Sequence, residues 1–257
     1  MADDYQNIAL RARKKVLKMI YEGQSSHIGS NFSCIDILTV LHSVMKPEDI
    51  LIYSKGWVAA SAYFFLAEMG IIPKTDLNTY CQEGSKYIGL TEPNITGIHF
   101  AGGSMQMGLP AGVGFALAKK LKKEKGNVYV LMSDGELAGG MVWESASIAK
   151  HHKLNNLVAL VDNNEFQAMG KSEEILNMEP LREKWKAFGW EVAKADGHNF
   201  KKIEASLTWP RLMADTPKII LFKTVKGKGV SFMEADNLYH YKNLSKEEYV
   251  NALKELK

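Results

Sequence analysis

Three short, uninterrupted apolar runs constrain the fold of this chain more than any other feature. NVYVLM begins at Asn127, LVALV spans 157–161 and KIILFKTV spans 218–225. Such runs, rich in Val, Ile and Leu, are typical of strands buried on both faces. Helical patterns at 141–153 and 180–188 separate them, and the order strand, helix, strand indicates a parallel sheet with right-handed crossovers. We therefore predict an α/β fold: an open, mostly parallel sheet with helices on both faces.

Helical periodicity dominates the first hundred residues. Apolar residues within 8–20 recur at the spacing of one helix face, and the basic residues fall on the opposite face. The stretches 33–45 and 57–69 are further helical patterns, the first with Ser33 as its expected N-cap. A helical lead-in is thus expected before the sheet.

Composition narrows the class of protein. The 257 residues are 46% hydrophobic and 24% charged, which excludes disorder and agrees with one domain over 1–257. A net charge of +3 is too small to favour nucleic acid or a membrane surface as a partner.

Two isolated cysteines, Cys34 and Cys81, favour a reducing compartment, and the acidic start is unlike a secretory signal. No uncharged stretch is apolar enough to span a bilayer. We expect a cytoplasmic protein.

Oxygen-bearing side chains stand where two of the predicted strands end. One run stops at Ser133-Asp134-Gly135, and the next ends at Asp162-Asn163-Asn164. Thirty residues separate Asp134 from Asn164, about the length of one crossover, so the two side chains are expected to meet at adjacent strand ends. Two protein ligands beside a helix N-terminus suit Mg²⁺ bound together with a phosphate. Each segment taken alone is also compatible with a simple turn.

Six segments together resemble the transketolase family, and they occur in the family's order. The stretch 133–170 is similar to its thiamine diphosphate motif, an acidic Gly-Asp-Gly opening closed some thirty residues later by an asparagine. The other five segments are SSHIGSNFSCIDILTVLH (25–42), LIYSKGW (51–57), AGGSMQMGLPAGVGFALAKK (101–120), FGWEVAKADGHN (188–199) and KTVKGKGVSFME (223–234).

The resemblance implies a site for thiamine diphosphate with Mg²⁺, or with Ca²⁺ or Mn²⁺ in its place. Asp134 and the side chain of Asn164 are the implied metal ligands, with the main-chain carbonyl of Phe166 as a third. The residues implied to contact the cofactor are Gly103, Ser104, Met105, Ser133, Asp134, Gly135, Glu136, Asn164 and Trp57.

Two histidines carry the implied catalytic roles. His27 matches the family histidine that lies close to the substrate carbonyl, and His240 falls near a family Trp-His-Gly, without its glycine. Both would hold or protonate developing alkoxides. Glu144 matches a glutamate near the family's dimer interface, with a buried, purely structural role as the alternative. His99 replaces a glutamate of the family pattern. The histidines expected to be structural or on the surface are His42, His151, His152 and His198.

The chain departs from the family where substrate hydroxyls are held. Trp57 replaces the histidine of Ser-Lys-Gly-His, and indole cannot exchange a proton near pH 7. A Gly-His-Pro turn is replaced by Thr91-Glu92-Pro93, and Gly139 stands where the family has a glutamate. We therefore expect thiamine chemistry on a modified sugar, a sugar phosphate or a nucleotide-linked sugar, rather than on the usual pair of phosphorylated sugars.

The resemblance covers only the diphosphate-binding half of a transketolase. The family's glutamate that activates the cofactor belongs to a pyrimidine-binding domain, for which the chain leaves no room. The resemblance therefore implies the N-terminal subunit of a split transketolase, an α2β2 heterotetramer completed by a C-terminal, pyrimidine-binding subunit. The reaction implied is transfer of a two-carbon ketol unit from a ketose to an aldehyde.

Two alternatives belong to other classes of protein. One is a cofactor-binding or regulatory subunit without catalysis, which Trp57 and the missing histidine at Thr91-Glu92-Pro93 would fit. The other is a nicotinamide-binding domain, because Gly112 and Gly114 precede Asp134 at a dinucleotide-like spacing. The residues before Gly112 do not form a strand pattern, which argues against it.

Overall fold

A single parallel sheet organises the chain. The computed structural model describes residues 2–208 and 215–257. The strands of the sheet are β1 (Ile50–Tyr53), β2 (Val128–Ser133), β3 (Leu157–Asn163), β4 (Glu191–Asp196) and β5 (Lys218–Lys223). Their order is β1-β2-β3-β5-β4, and every neighbouring pair is parallel. All five strands therefore end at the same edge.

Helices cover both faces of this sheet, as the sequence predicts. The helices are α1 (Ala2–Glu22), α2 (Ile28–Val44), α3 (Ala59–Glu68), α4 (Gly108–Lys122), α5 (Gly140–His151), α6 (Ser172–Leu176), α7 (Leu181–Ala187), α8 (Phe200–Thr208) and α9 (Lys246–Glu255). Alternate strand residues enter two separate cores: Leu131 packs with α1, α2 and α3, whereas Val130 packs with α4 and α5. The predicted α/β class with a helical lead-in is confirmed. Among the described residues, no helix is long and apolar enough to cross a membrane.

Two details of the sequence prediction are wrong. The second helix begins at Ile28 rather than after Ser33, and its N-cap is His27. Ser33 lies inside this helix, where its hydroxyl contacts a buried carboxylate. The helix is buried on all sides from Ile28 to Leu41, so tertiary burial outweighs the weak helix propensity of its first turn.

Two strands were missed altogether. β1, which overlaps the LIYSKGW segment, is only four residues long, and β4 at Glu191–Asp196 lies at the sheet edge with only Glu191 and Ala193 buried. Neither offers the long apolar run that identifies the three central strands.

Candidate functional site

The carboxyl ends of β2 and β3 bring the predicted metal ligands together. Ser133 pairs with Asp162 across the two strands, and the Asp134 N–H donates to the Asp162 carbonyl at 3.3 Å. The Asp134 carboxylate accepts from the Gly135 N–H at 2.9 Å and from the Ser172 hydroxyl at 3.1 Å. One crossover later, Asn164 is also buried. The predicted meeting of Asp134 with the end of β3 is confirmed.

The loop after β3 orients the amide of Asn164. Its Oδ1 accepts from the Phe166 N–H at 3.1 Å, which places the backbone of Phe166 beside the amide oxygen. Asn164 Nδ2 lies 3.5 Å from the Ser33 hydroxyl. The three predicted ligands are therefore the carboxylate of Asp134, the side-chain amide of Asn164 and the backbone of Phe166, which is hydrogen-bonded to that amide.

The electrostatics of Asp134 fit a divalent cation. Burial, and next the Asp162 carboxylate, raise the pKa of Asp134 to about 6, because both disfavour its ionised form. A bound cation would reverse this shift by supplying the positive charge. Among the described residues, no group of three or more His, Cys, Asp or Glu side chains could hold a metal ion. A site with few protein ligands, completed by phosphate oxygens, matches the coordination habit of Mg²⁺.

A buried ion pair supports this edge of the sheet. The Lys55 ammonium contacts the Asp162 carboxylate, which also accepts from the hydroxyls of Ser33 and Thr224. Burial alone would raise the pKa of Asp162, but Lys55 and the three hydrogen bonds outweigh it and hold the pKa below its ordinary value. Asp162 therefore stays ionised, and its contacts with Lys55, Ser33 and Thr224 stabilise the end of β3 beside Asp134.

Sequence reasoning missed Lys226. This lysine is 1% exposed, and its ammonium donates to His240 Nδ1 at 2.8 Å and to Asn237 Oδ1 at 2.7 Å. Burial, and next Lys55, lower the pKa of Lys226 to about 8, so it is still charged at pH 7. The segment KTVKGKG is one of the six that resemble the family, yet nothing in it separates Lys226 from its two neighbouring lysines, Lys223 and Lys228.

The two candidate histidines meet Trp57 at one cluster. The rings of His27 and Trp57 stack at 4.7 Å and 11°, and the His240 ring stands edge-on to His27 at 4.7 Å. Burial, and next Lys226, lower the pKa of His27 to about 4 and that of His240 to about 3. Both rings are uncharged at pH 7. Because an ammonium only donates, Nδ1 of His240 accepts from Lys226, and its hydrogen therefore sits on Nε2.

A tight turn carries the residues predicted to lie against the cofactor rings. The Met107 N–H donates to the Ser104 carbonyl at 3.3 Å, and Gln106 has φ 75°. Met105 is 50% exposed, as a contact surface requires. A Cβ on Gly139 would lie 1.7 Å from Cδ of Gln106, so the Gln106 side chain fills the space where the family's glutamate would stand.

Glycines bring two loops into backbone contact beside this turn. A Cβ on Gly56 would lie 2.3 Å from the Gly102 carbonyl oxygen, and one on Gly102 would lie 2.4 Å from the Gly56 Cα. Only glycine fits at either position. The loop that precedes Trp57 and the loop that leads to Gly103 are therefore packed directly against each other.

The side chain of Glu136, one of the predicted cofactor contacts, is turned into the protein. It is 1% exposed, and its Oε2 accepts from the Ser54 hydroxyl at 2.8 Å and from the Gln106 N–H at 3.4 Å. Burial raises its pKa to about 7. The carboxylate therefore ties the loop after β1 to the Ser104–Met107 turn, and any contact of residue 136 with a ligand would be made by its backbone.

The remaining singled-out residues lie away from this cluster. Glu144 is exposed on α5, so the alternative of a buried glutamate is wrong. His99 is exposed. His42 stacks on Phe65 and His198 bonds Asp36, so their expected structural roles are confirmed. The surface positions expected for His151 and His152 are also confirmed.

The dinucleotide alternative fails on its structural context. Gly112 and Gly114 lie inside α4 (Gly108–Lys122), and the segment before this helix is a turn rather than a strand. A dinucleotide fingerprint needs its glycines at the junction of a strand and a helix.

Comparison with known proteins identifies the family. The family described as transketolase, thiamine diphosphate binding domain, matches residues 6–256. One subunit of the apulose-4-phosphate transketolase of Phocaeicola vulgatus is 34% identical over 95% of this chain and 90% of its own length. The 6-deoxy-6-sulfo-D-fructose transketolase subunit SqwG of Clostridium sp. is also 34% identical, over 98% of this chain and 97% of its own length.

A solved structure agrees with the sequence relatives. The transketolase of Campylobacter jejuni superimposes with a TM-score of 0.92 at 28% identity, over 98% of this chain. The chain spans 42% of the length of that enzyme.

Proposed function

The chain belongs to the transketolase family through its thiamine diphosphate-binding domain, and on that premise we propose that it is the diphosphate-binding subunit of a two-subunit transketolase. The carrying observation is that Asp134 and Asn164 follow the ends of two neighbouring parallel strands, and that the Phe166 N–H donates to the Asn164 amide. Two relatives that this chain covers almost completely are named as transketolase subunits, which supports a divided enzyme. The further details, a single domain over 1–257, an α2β2 assembly and a cytoplasmic location, stay predictions.

The residues at the strand ends fit thiamine diphosphate with Mg²⁺. Asp134, Asn164 and the Phe166 carbonyl would hold the metal ion at the carboxyl ends of β2 and β3. When bound, thiamine diphosphate supplies the carbon nucleophile of ketol transfer. The protein's own contribution is orientation and electrostatics.

The histidine cluster would serve the substrate oxygens. The neutral His240 presents an Nε2–H donor whose tautomer Lys226 fixes, and His27 offers a second uncharged imidazole beside it. A neutral imidazole can stabilise a developing alkoxide by donating a hydrogen bond from its N–H group. Trp57 replaces a proton-exchanging group with an indole, which changes the surface that meets the substrate.

The substrate we propose is a ketose outside the usual pair of phosphorylated sugars. Two relatives are named for apulose 4-phosphate and for 6-deoxy-6-sulfo-D-fructose, both non-standard sugars. The departures at Trp57, Thr91 and Gly139 agree with such a substrate. Normal turnover of xylulose 5-phosphate with ribose 5-phosphate would contradict this part of the proposal.

The decisive experiment is an isothermal titration of thiamine diphosphate into this chain co-purified with a pyrimidine-domain subunit, with Mg²⁺ and then with EDTA. Binding that needs the metal and is lost in Asp134→Asn supports the proposal. Asp196→Asn is the matched control, because Asp196 also ends a strand of the sheet but lies at the edge strand, away from Asp134. Absence of binding by a verified complex would favour the non-catalytic alternative.

A further inference from the structure

The stacked pair of His27 and Trp57 joins two segments that lie thirty residues apart in the sequence. His27 has φ 71°, in the left-handed region that residues other than glycine adopt infrequently. Trp57 lies in a 3₁₀ turn (Gly56–Val58) and is 42% exposed, so little packing restrains its outer face. The rings stack at 4.7 Å and 11°, and a group that contacts both segments would help to hold this arrangement.

Asn31 makes contacts with both segments. It is fully buried in α2, and its Nδ2 donates to the His27 carbonyl at 2.9 Å and to the Trp57 carbonyl at 3.3 Å. Its Oδ1 accepts from the backbone N–H of Ser61 at 3.0 Å and from the Ser61 hydroxyl at 2.9 Å. The amide thus uses both of its donors and its acceptor oxygen to join the start of α2, the turn of Trp57 and the start of α3.

Other contacts fix the edge that His27 presents. Its backbone N–H donates to the His240 carbonyl at 3.0 Å, and the Ser26 hydroxyl lies 2.6 Å from its Nδ1. Trp57 covers one face of the ring. Nε2 is therefore the ring nitrogen left for an oxygen of the substrate, and its position depends on the stack.

We propose that Asn31 is a positioning residue of this site, whose buried amide holds the backbones of His27 and Trp57 so that their rings stack and Nε2 of His27 is fixed. The functional meaning of this arrangement rests on the proposed role of His27 toward the substrate. The arrangement itself is testable without cofactor, substrate or partner chain, so its failure is distinct from failure of the proposed function.

The test is the rate at which diethyl pyrocarbonate acylates His27 in the full chain, followed by peptide mass spectrometry. We expect Asn31→Ala to speed this reaction about 2- to 13-fold, the factor equivalent to an aromatic pair energy of about 0.5–1.5 kcal/mol. Trp57→Ala should speed it by a similar factor. The double variant should react no faster than Trp57→Ala, because Asn31 acts through the stack.

Two controls separate positioning from general loosening. His42 is a half-buried histidine that stacks on Phe65 at 5.0 Å and 14°, and its acylation rate should not change in Asn31→Ala. Asn156→Ala removes another asparagine amide, one that donates to the Ala116 carbonyl far from this cluster, and it should leave His27 unchanged. An unchanged His27 rate in Asn31→Ala, equal acceleration of His27 and His42, or multiplicative effects in the double variant would each overturn the inference.

Discussion

Replacing Lys55 by methionine tests whether a buried ion pair anchors the ligand-bearing edge of the sheet. Lys55 is 8% exposed and Asp162 is fully buried, and the two are in direct contact. Methionine keeps most of the side-chain volume but removes the charge. Asp162 then keeps only the hydroxyls of Ser33 and Thr224, which do not neutralise it.

The expected loss of stability is large. Removing one partner of a buried pair costs about 3 to 5 kcal/mol, because the other charge is left uncompensated. For a chain of this size, this corresponds to a melting temperature lower by about 6 to 20 °C. The measurement is thermal unfolding at pH 7, followed by circular dichroism at a fixed protein concentration.

The pH dependence of the same variant has a definite sign. In the wild type the pKa of Asp162 lies below its ordinary value, so its contribution is present above the unfolded pKa of about 3.9 and is lost as the pH falls through the folded value. The pKa of Lys55 is raised, so its contribution is present below about 10.4 and is lost as the pH rises through the folded value. Without Lys55, burial raises the pKa of Asp162. We therefore expect Lys55→Met to be less destabilised at pH 5 than at pH 7.

Lys119→Met is the matched control. Lys119 is also 8% exposed, but its ammonium donates to the carbonyls of Glu48 and Lys125, so its loss leaves no buried charge. We expect a loss of about 1 to 3 kcal/mol with little pH dependence. Equal destabilisation of the two variants, or a Lys55→Met loss that is the same at pH 5 and pH 7, would refute the reasoning.

Three further predictions concern other parts of the chain. Gly139→Ala should lower the free energy of unfolding by about 1 to 3 kcal/mol, because the new Cβ would clash with Gln106. Adding Gln106→Ala should restore most of this stability, and additive losses in thermal unfolding would contradict the reasoning. Ser245→Ala should cost about 1 kcal/mol by breaking the capping box with Glu248, visible as faster amide exchange in the first turn of α9; unchanged exchange would count against the cap. Asp134→Asn should weaken magnesium-dependent binding of thiamine diphosphate in the co-purified complex at least about tenfold, because even the loss of a residue that only orients a metal ligand has an effect of this size. Unchanged affinity would exclude Asp134 as a ligand.

The sequence determined the central strands and the placement of the metal-ligand candidates. Strands buried on both faces need continuous apolar runs, and such runs are visible without any knowledge of contacts. Because all strands of a parallel sheet end at one edge, the position of Asp134 and Asn164 after two of those runs was enough to predict that they follow neighbouring strand ends. The two edge strands give weaker signals, because the apolar run of β1 is only four residues long and β4 is interrupted by charged residues.

The tertiary structure alone decided which polar side chains serve these residues. Lys55, Lys226 and Asn31 each contact at least one group that is 14 or more residues away in the sequence. The sequence also does not distinguish a buried lysine from an exposed one. Burial also sets the protonation of His27 and His240, because desolvation depends on what surrounds a group and not on its neighbours along the chain. The periodicity of the sequence shows which faces of the helices and strands are apolar. The ion pairs, the protonation of the histidines and the stacking of Trp57 on His27 depend on segments that only the folded chain brings together.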